Sequence, residues 1–201
     1  MLVEGIKSRP QYLGLIADCY AKHHVFIADG EGAQAVLDLF AQYGSQIKGC
    51  VTIVYADTDP QGSPLTTRLA NLPVEVVHPM PTLVTAIHRL KAVLQVARMG
   101  TRIYAAGSET LIGLAVQLAQ AFGMDPQAVI TEHRGTLARR VQCVHCKGFT
   151  ENVTTNIVKC AHCQANLLVR DHYSKRLAAF QGVCVDAEVA GELPEIVEVF
   201  K

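Results

Sequence analysis

Two Cys-x-x-Cys pairs constrain the fold of this chain more than any other feature. Cys143 and Cys146 form the first pair, and Cys160 and Cys163 form the second, with 13 residues between the pairs. Each pair can form a tight turn that directs two sulfur atoms at one ion, and the residues between them can form a connecting hairpin. The spacing therefore predicts a tetrahedral metal site with four thiolate ligands.

Zinc is the metal expected at this site. Four cysteines fill a tetrahedron and leave no open position, so a zinc ion here would stabilise the fold and would not activate water. A single iron, as in rubredoxin, or an iron–sulfur cluster also accepts four thiolates, and these alternatives remain open at this point.

Composition excludes several classes of protein. The chain has 201 residues, half of them apolar, and its formal net charge is zero, so no global field attracts nucleic acid or a membrane surface. No apolar run reaches the roughly 18 residues needed for a membrane span. Residues 1–10 contain charged side chains and no apolar leader segment, which indicates a cytoplasmic protein.

Short apolar runs alternate with helical patterns through the first two thirds of the chain. This alternation predicts right-handed β-α-β units and a five-stranded, parallel, doubly wound sheet. Thr82 is predicted to cap a helix, and Pro79 is predicted to end the third strand. We expect an α/β domain over residues 1–136 and a zinc-ribbon-like metal module with an acidic tail over residues 137–201. The predicted strands are 24–28, 51–55, 74–78, 102–106 and 128–131.

Two loops are candidates for binding the phosphate of a cofactor. Both follow strands that should lie near the switch in strand order, where ligands of open parallel sheets bind, and both precede a helix N-terminus. Asp29 and Glu31 place negative charge in the first loop, which favours the alternative that these segments are only turns. The candidate residues are Gly30, Gly32, Gly107 and Ser108.

Charge is unevenly distributed in the last third of the chain. Residues 134–176 contain eight Lys or Arg against two acidic residues, whereas residues 177–201 contain five acidic residues against Lys201. This pattern indicates either an interaction surface or the solvated surface of a small metal domain. Three basic residues could bind a carboxylate-bearing partner or a flavin phosphate, namely Arg170, Lys175 and Arg176.

Other titratable residues have less support as functional groups. His145 and His162 lie inside the cysteine pairs, but four thiolates already complete the ligand set, so both are expected to be exposed. His172 is a candidate haem ligand or proton relay, with a structural, hydrogen-bonded histidine as the favoured alternative. Cys50 begins an apolar run and is expected in the core. No arrangement of residues predicts a catalytic site.

The first part of the chain resembles the nicotinamide-binding lobe of ferredoxin reductases. Residues 25–32 resemble the first strand and phosphate loop of that lobe, and residues 104–108 with 124–129 resemble its closing strand–helix–strand. The flavin-binding barrel that precedes the lobe in those reductases has no counterpart, because only about 22 residues come before the first strand. The resemblance therefore implies a lobe retained for assembly and not a complete flavin reductase.

The second part closely resembles the small subunit of bacterial dimethylamine monooxygenase. The resemblance rests on the two cysteine pairs, residues 168–180, Asp186-Ala187-Glu188 and residues 191–194. It implies a multi-component complex that uses NADPH and O2 to demethylate dimethylamine to methylamine and formaldehyde. In that family haem belongs to another subunit, and a flavin and iron–sulfur reductase subunit supplies electrons from NADPH. No catalytic residue of this chain is implied.

Three functional hypotheses follow. The first is a docking and assembly subunit of the monooxygenase, whose four-cysteine site is structural and whose partners are the haem-binding and reductase subunits. The second is an electron-transfer subunit with a rubredoxin-type iron. The third is a zinc-ribbon nucleic-acid-binding or regulatory protein, although its basic segment is short and we expect neither nucleic acid nor membrane as a partner.

Overall fold

The computed structural model describes residues 8–59, 61–189 and 191–201. Contacts within the chain divide it into two compact units, one of which is Tyr12–Gly135. The second contains Thr136–Lys201 together with the described N-terminal residues 8–11. These N-terminal residues were assigned to the α/β domain in the sequence analysis, but the Ser8 amide donates a hydrogen bond to the Asp171 carbonyl, at 2.8 Å.

The first unit is a doubly wound α/β fold, as predicted. Its five parallel strands lie in the order β3-β2-β1-β4-β5, which places the switch in strand order between β1 and β4. The strands are β1 (His23–Asp29), β2 (Cys50–Ala56), β3 (Val76–Met80), β4 (Thr101–Gly107) and β5 (Val129–His133). The helices are α1 (Gly32–Tyr43), α2 (Pro64–Ala70), α3 (Leu83–Gln95) and α4 (Glu109–Ala121), with a 3-10 turn at Pro126–Ala128 before β5.

Burial on both faces explains why the central strands are continuous apolar runs. Residues 25–28 of β1 have no exposed surface, and their side chains alternate between two clusters. Val25 and Ile27 pack with α3 and α4, whereas Phe26 and Ala28 pack with α1. Covering both faces with helices is the arrangement that a parallel sheet requires.

Helix caps follow the local sequence. The Thr82 side chain accepts a hydrogen bond from the Thr85 amide at 3.1 Å, and the Thr85 hydroxyl accepts one from the Thr82 amide at 3.1 Å, which confirms the predicted cap of α3. The Ser108 hydroxyl accepts a bond from the Leu111 amide and caps α4 in the same way.

Two local predictions in this unit are wrong. Pro79 does not end the third strand. β3 is an edge strand whose neighbour is β2, so the missing N–H group of Pro79 costs no hydrogen bond to a second strand. The strand is shifted to Val76–Met80 as a result. Cys50 is exposed and not in the core, because it is the first residue of β2 at the amino end of the sheet.

The second unit is a five-stranded mixed sheet in the order β7-β6-β10-β9-β8. β10 lies between β6, to which it is parallel, and β9, to which it is antiparallel. A glycine is needed at position 182 of β10, because a Cβ there would lie 2.7 Å from Val141 of β6. The strands are β6 (Arg139–Cys143), β7 (Phe149–Val153), β8 (Ile157–Lys159), β9 (Asn166–Ser174) and β10 (Ala179–Cys184).

The core of the second unit is small and includes two cysteines. Cys143 and Cys160 have no exposed surface and pack with Val141, Leu167 and Phe180. A unit with so few buried side chains has little hydrophobic stabilisation of its own, so a metal ion at these cysteines would add substantially to its stability.

No helix in the described part of the chain has the length and apolar character needed to cross a membrane.

Candidate metal centre

The four cysteines of the sequence motif converge in space. The pair Cys143 and Cys146 lies in the turn from β6 to β7, and the pair Cys160 and Cys163 lies in the turn from β8 to β9. Their sulfur atoms all lie within 4.8 Å of one another. Residues far from each other in the sheet order are thus brought together at the ends of two antiparallel hairpins.

The first turn has a defined backbone geometry. The Cys143 amide donates a hydrogen bond to the Gly148 carbonyl at 2.9 Å, and the Lys147 amide donates one to the Cys143 carbonyl at 3.0 Å. Lys147 has a φ of 64°, in the left-handed region, which lets the chain reverse directly after the second cysteine.

The second turn repeats this geometry. The Cys160 amide donates to the Ala165 carbonyl at 2.9 Å, and the Gln164 amide donates to the Cys160 carbonyl at 3.1 Å. Gln164 has a φ of 62°, matching Lys147 of the first turn. The two turns therefore have the same local backbone geometry, and each presents a pair of sulfur atoms to the cluster.

The spacing of the sulfur atoms fits a tetrahedral ion. The Cys143 and Cys163 sulfurs are 3.8 Å apart, and the Cys146 and Cys160 sulfurs are 3.6 Å apart. A tetrahedron with metal–sulfur bonds of about 2.3 Å has edges of about 3.8 Å. A disulfide requires about 2.05 Å, so these are free cysteines arranged as a ligand set.

Backbone amides support negative charge on the sulfurs. The Gly148 amide lies 3.4 Å from the Cys146 sulfur and the His162 amide lies 3.5 Å from the Cys160 sulfur, each within the range of a hydrogen bond to sulfur. Such bonds stabilise thiolates and are part of the outer shell of a metal site.

The thiols do not share this charge equally. Burial raises the pKa of Cys160, but the amides of Cys163 and His162 and the neighbouring thiols outweigh it and bring that pKa to about 6. The Ala165 amide lowers the pKa of Cys163, whereas desolvation and the other three thiols raise it further, to about 12. Negative charge on one thiolate therefore disfavours ionisation of the neighbouring thiols, and a bound divalent cation would offset this repulsion.

The cluster is closed on one side and open on the other. Cys143 and Cys160 are buried, Cys163 is partly buried and Cys146 is exposed. An ion held by all four sulfurs would be part of the core through the first cysteine of each pair and would approach the surface through the second.

The histidines of the two turns lie outside the ligand set. His145 and His162 are exposed, as predicted. The His162 Nε2 lies 3.0 Å from the Phe149 carbonyl and, as the donor, connects the second turn to β7. Its ring also lies over Gly148, where an added Cβ would be 2.4 Å from the ring, so a larger residue there would displace His162. His172 is exposed on β9.

The basic segment contains a buried arginine that the sequence analysis did not single out. Arg139 is 4% exposed, and its guanidinium lies between the rings of Phe180 and Phe200, at 3.9 and 3.7 Å from their centroids. It pairs with Asp171 at 2.6 Å, and Arg9 reaches the other oxygen of the same carboxylate at 2.6 Å. Phe200 lies in the acidic tail, whose charge indicated a solvated segment and not a core residue.

Other basic residues of this segment lie nearer the surface. Arg140 stacks on Phe149 and pairs with Glu151 at 2.9 Å. Arg170 is half-buried on β9, and Lys175 and Arg176 are exposed between β9 and β10.

The two candidate phosphate loops meet in the first unit at the switch in strand order. They follow the adjacent strands β1 and β4. The Asp29 carboxylate, at the end of β1, accepts hydrogen bonds from the Ser108 amide at 2.7 Å and from the Ser108 hydroxyl at 2.5 Å. The amide and hydroxyl of Ser108, which could otherwise bind a phosphate at the N-terminus of α4, are thus already bonded to Asp29.

Glycines in these loops allow close packing. A Cβ on Gly107, whose φ is 128°, would lie 1.9 Å from the Asp29 carboxylate, and a Cβ on Gly32 would lie 2.1 Å from the Ala106 carbonyl. Gly30 has a φ of 44° and open space around it. Gly32 and Gly107 therefore have a packing role, and cofactor binding at Gly30, Gly32, Gly107 and Ser108 stays a prediction.

The buried Asp29 gives this crevice a pH dependence. Desolvation raises the pKa of Asp29 despite its bonds to Ser108. The folded state therefore binds a proton that the unfolded state has lost, so ionisation reduces stability as pH rises above 3.8. We therefore expect the unaltered chain to lose stability relative to Asp29→Asn as the pH rises from 4.5 to 8. The measurement is the unfolding free energy of both proteins, by urea denaturation, across that range.

Asp57→Asn is the matched control for this measurement. Burial raises the pKa of Asp57, but bonds from Thr66 and Ser63 outweigh it and lower the pKa below 3.8. Its contribution is complete above pH 3.8 and is lost only below that value, so the Asp57→Asn difference should stay constant from pH 4.5 to 8. A constant difference for Asp29→Asn as well would contradict the desolvation of that carboxylate.

Comparison with protein families identifies relatives for both units. The family model described as dimethylamine monooxygenase subunit DmmA-like, N-terminal domain, matches residues 4–129. The model of the corresponding C-terminal domain matches residues 140–183. The two matches together include strands β1 to β4 of the parallel sheet and the four cysteines.

A curated relative has a related name. The heme-dependent oxidative N-demethylase delta subunit of Ectopseudomonas mendocina (strain ymp) is 33% identical over 99 residues. The match covers 49% of this chain and 57% of the relative, so the chain spans little more than half the length of that protein.

Two solved structures show a partial likeness. An intact type IV self-sufficient cytochrome P450 monooxygenase has a TM-score of 0.49 and 22% identity, over 68% of this chain and 19% of the other. Full-length CYP116B46 from Tepidiphilus thermophilus has a TM-score of 0.44 and 18% identity, over 67% of this chain and 19% of the other.

Proposed function

Because the chain belongs to the DmmA-like family of dimethylamine monooxygenase subunits, we propose that it is a subunit of a multi-component oxidative N-demethylase. The complex would use NADPH and O2 to convert dimethylamine to methylamine and formaldehyde. Haem, flavin and NADPH would be bound by partner subunits, and this chain would act in docking and assembly. The observation that carries the proposal is the family match across both units, supported by a relative named as a delta subunit.

Two features of the site support a role without catalysis. Four sulfurs complete a tetrahedral ligand set, which leaves no position for substrate or water on the ion. In the first unit, the Ser108 amide and hydroxyl are bonded to Asp29 and are not free to receive a phosphate. The four-cysteine site and the N-terminus of α4 are therefore satisfied by side chains of this chain.

We propose zinc as the ion held by Cys143, Cys146, Cys160 and Cys163. When bound, zinc supplies a redox-inert crosslink between the β6–β7 and β8–β9 turns. The small core of the second unit, which contains two of these cysteines, is the reason that such a crosslink is needed.

One observation favours iron as a second candidate. Cys146 is exposed, and amides lie within hydrogen-bonding range of two sulfurs, which is an arrangement suited to passing an electron through the surface. In this case the chain would transfer electrons from the reductase subunit to the haem subunit. A nucleic-acid-binding role has less support, because Arg139 and Arg140 of the basic segment are paired with carboxylates.

The test is reconstitution of the demethylase with and without this chain. The haem-binding and reductase subunits of the proposed complex would be combined with this chain and assayed for dimethylamine-dependent NADPH oxidation and formaldehyde formation. We expect all subunits to elute together. Activity should fall at least about tenfold without this chain, because electron delivery requires the partner subunits to be held in a fixed relative position. Full activity without it, and separate elution of this chain at high concentration, would contradict the proposal.

The same preparation separates zinc from iron. One zinc per chain and no visible absorbance from this subunit would support the structural role. One iron per chain with thiolate-to-iron charge-transfer bands would support the electron-transfer role.

A further inference from the structure

The C-terminal tail of the second unit carries an exposed apolar surface. Four large aliphatic residues within seven positions have between 38% and 57% of their surface exposed, and all other residues of 191–199 are exposed as well. We call this surface the tail face. Its apolar residues are Leu193, Ile196, Val197 and Val199.

The tail face belongs to a segment bonded to the connection between β7 and β8 of its own unit. The Asn156 amide donates to the Val197 carbonyl at 3.0 Å, and the Val197 amide returns a bond to the Asn156 side chain at 2.8 Å. The Val199 amide donates to the Thr154 carbonyl at 2.9 Å. The apolar side chains are thus presented on a fixed backbone, and ordering that backbone costs a partner little entropy.

The end of the chain anchors the tail face. Phe200 is 9% exposed and stacks on the buried Arg139, and the Lys201 carbonyl accepts a bond from the Leu137 amide at 2.8 Å. One residue of the tail therefore stabilises the unit, whereas its aliphatic neighbours are left at the surface. Packing within the unit therefore does not explain why those neighbouring positions carry aliphatic side chains.

The charge around the tail face indicates the chemistry of what covers it. Residues 186–201 contain five acidic residues and one lysine. Glu192, Glu195 and Glu198 are exposed and stand between the aliphatic residues in sequence, so negative charge accompanies the apolar side chains. We call the aliphatic side chains the apolar centre of the face and these carboxylates its rim. An apolar centre with a charged rim is the usual anatomy of a protein–protein interface, and the complementary surface is apolar with Lys and Arg at its rim.

We infer that the tail face docks onto an apolar, basic-rimmed surface of another subunit of the demethylase. This inference rests on the proposed function and adds the surface through which this chain joins the complex. A nucleic acid does not fit, because the rim is acidic. A second copy of the chain is a poor match for the face as well, because two acidic rims would repel each other across a symmetric contact.

Two sets of substitutions in the full chain test the inference. Leu193→Ser, Ile196→Ser and Val199→Ser together remove the apolar centre but keep the backbone bonds, and Glu192→Gln, Glu195→Gln and Glu198→Gln together remove the rim charge. The matched control changes three exposed apolar residues of the first unit to serine, at positions Tyr20, Val96 and Met99. Metal content and circular dichroism establish that each variant is folded.

Binding to the partner subunits would be measured by surface plasmon resonance at two salt concentrations. The serine variant should bind about 100-fold more weakly, mainly through faster dissociation. The glutamine variant should associate roughly tenfold more slowly at low salt and lose most of its salt dependence. The control should bind as the unaltered chain does.

The outcomes separate this inference from the proposed function. Unchanged binding of the serine variant, or equal weakening by the control, would overturn the tail face as the docking surface while the subunit role stands. Absence of any binding by the unaltered chain would overturn both. Sedimentation showing that the tail variants only abolish a homodimer would assign the face to a second copy and overturn the inference.

Discussion

Cys160→Ser is expected to release the metal and unfold the second unit while the α/β unit stays folded. Four thiolates contribute to binding, and structural zinc sites supply about 10–16 kcal/mol of folding free energy. Cys160 has no exposed surface and packs in the small core, so its loss removes both a ligand and a core side chain. Metal analysis should fall from one ion per chain to none.

Hydrogen exchange locates the effect of this substitution. Amides of β6 to β10 should lose protection in the variant, whereas those of β1 and β4 should keep it, because the parallel sheet has its own two apolar clusters. Cys184→Ser is the matched control, since Cys184 is a free thiol of the same unit outside the ligand cluster. Retention of both metal and protection in Cys160→Ser would show that the site does not stabilise this unit.

Acidification of the unaltered chain should give the same result as the substitution. The cysteine thiols must lose their protons to bind the metal as thiolates, so metal affinity, and the stability that depends on it, decreases as pH falls. Metal release that accompanies loss of protection in β6 to β10 would confirm this coupling.

Arg139→Met is expected to destabilise the second unit by about 3 kcal/mol. The substitution leaves the partly buried Asp171 carboxylate with Arg9 alone and removes the cation between the Phe180 and Phe200 rings. Methionine nearly fills the volume, so the loss reports on charge and not on a cavity. Urea denaturation followed by circular dichroism, with metal bound throughout, measures the change.

Arg140→Met is the control for this prediction. Arg140 also stacks on a phenylalanine and pairs with a carboxylate, but the side chain of its partner Glu151 is 49% exposed. An ion pair in contact with solvent contributes at most about 1 kcal/mol, so this variant should be close to the unaltered chain. Equal effects of the two substitutions would show that burial of Arg139 does not increase the contribution of its ion pair to stability.

Removal of the last two residues gives an independent measure of the same cluster. A chain ending at Val199 would lose the Phe200 ring and the Lys201 carbonyl that bonds to Leu137. In the doubly altered chain, the loss of unfolding free energy by urea denaturation should be smaller than the sum of the two separate losses, because both changes disrupt the contact between Arg139 and Phe200.

Local patterns were sufficient to predict most of the α/β unit. The continuous apolar runs identified five strands within a few residues, and Thr82 and Ser108 marked helix starts, because these signals depend on neighbours in sequence. Pro79 was misinterpreted for a reason of topology. Whether a proline is tolerated depends on whether its strand is an edge, and the strand order is a property of the whole sheet.

The second unit divides in the same way. Spacing alone predicted that Cys143, Cys146, Cys160 and Cys163 would come together, because Cys-x-x-Cys makes its turn locally and needs only a hairpin to meet its partner. The insertion of β10 between β9 and β6 was not predicted, because β10 pairs with residues of β6 that lie about 40 positions away.

What the sequence determined by itself is therefore the alternation of strands and helices and the four-cysteine ligand set, since each follows from short-range spacing. Only the tertiary structure decided that Asp29 bonds to Ser108 at the switch in strand order, that Arg139 lies between two rings, and that Phe200 is buried while Ile196 is exposed. These contacts join residues distant in sequence. Their energies depend on burial, which a side chain acquires only when the rest of the fold excludes water from it.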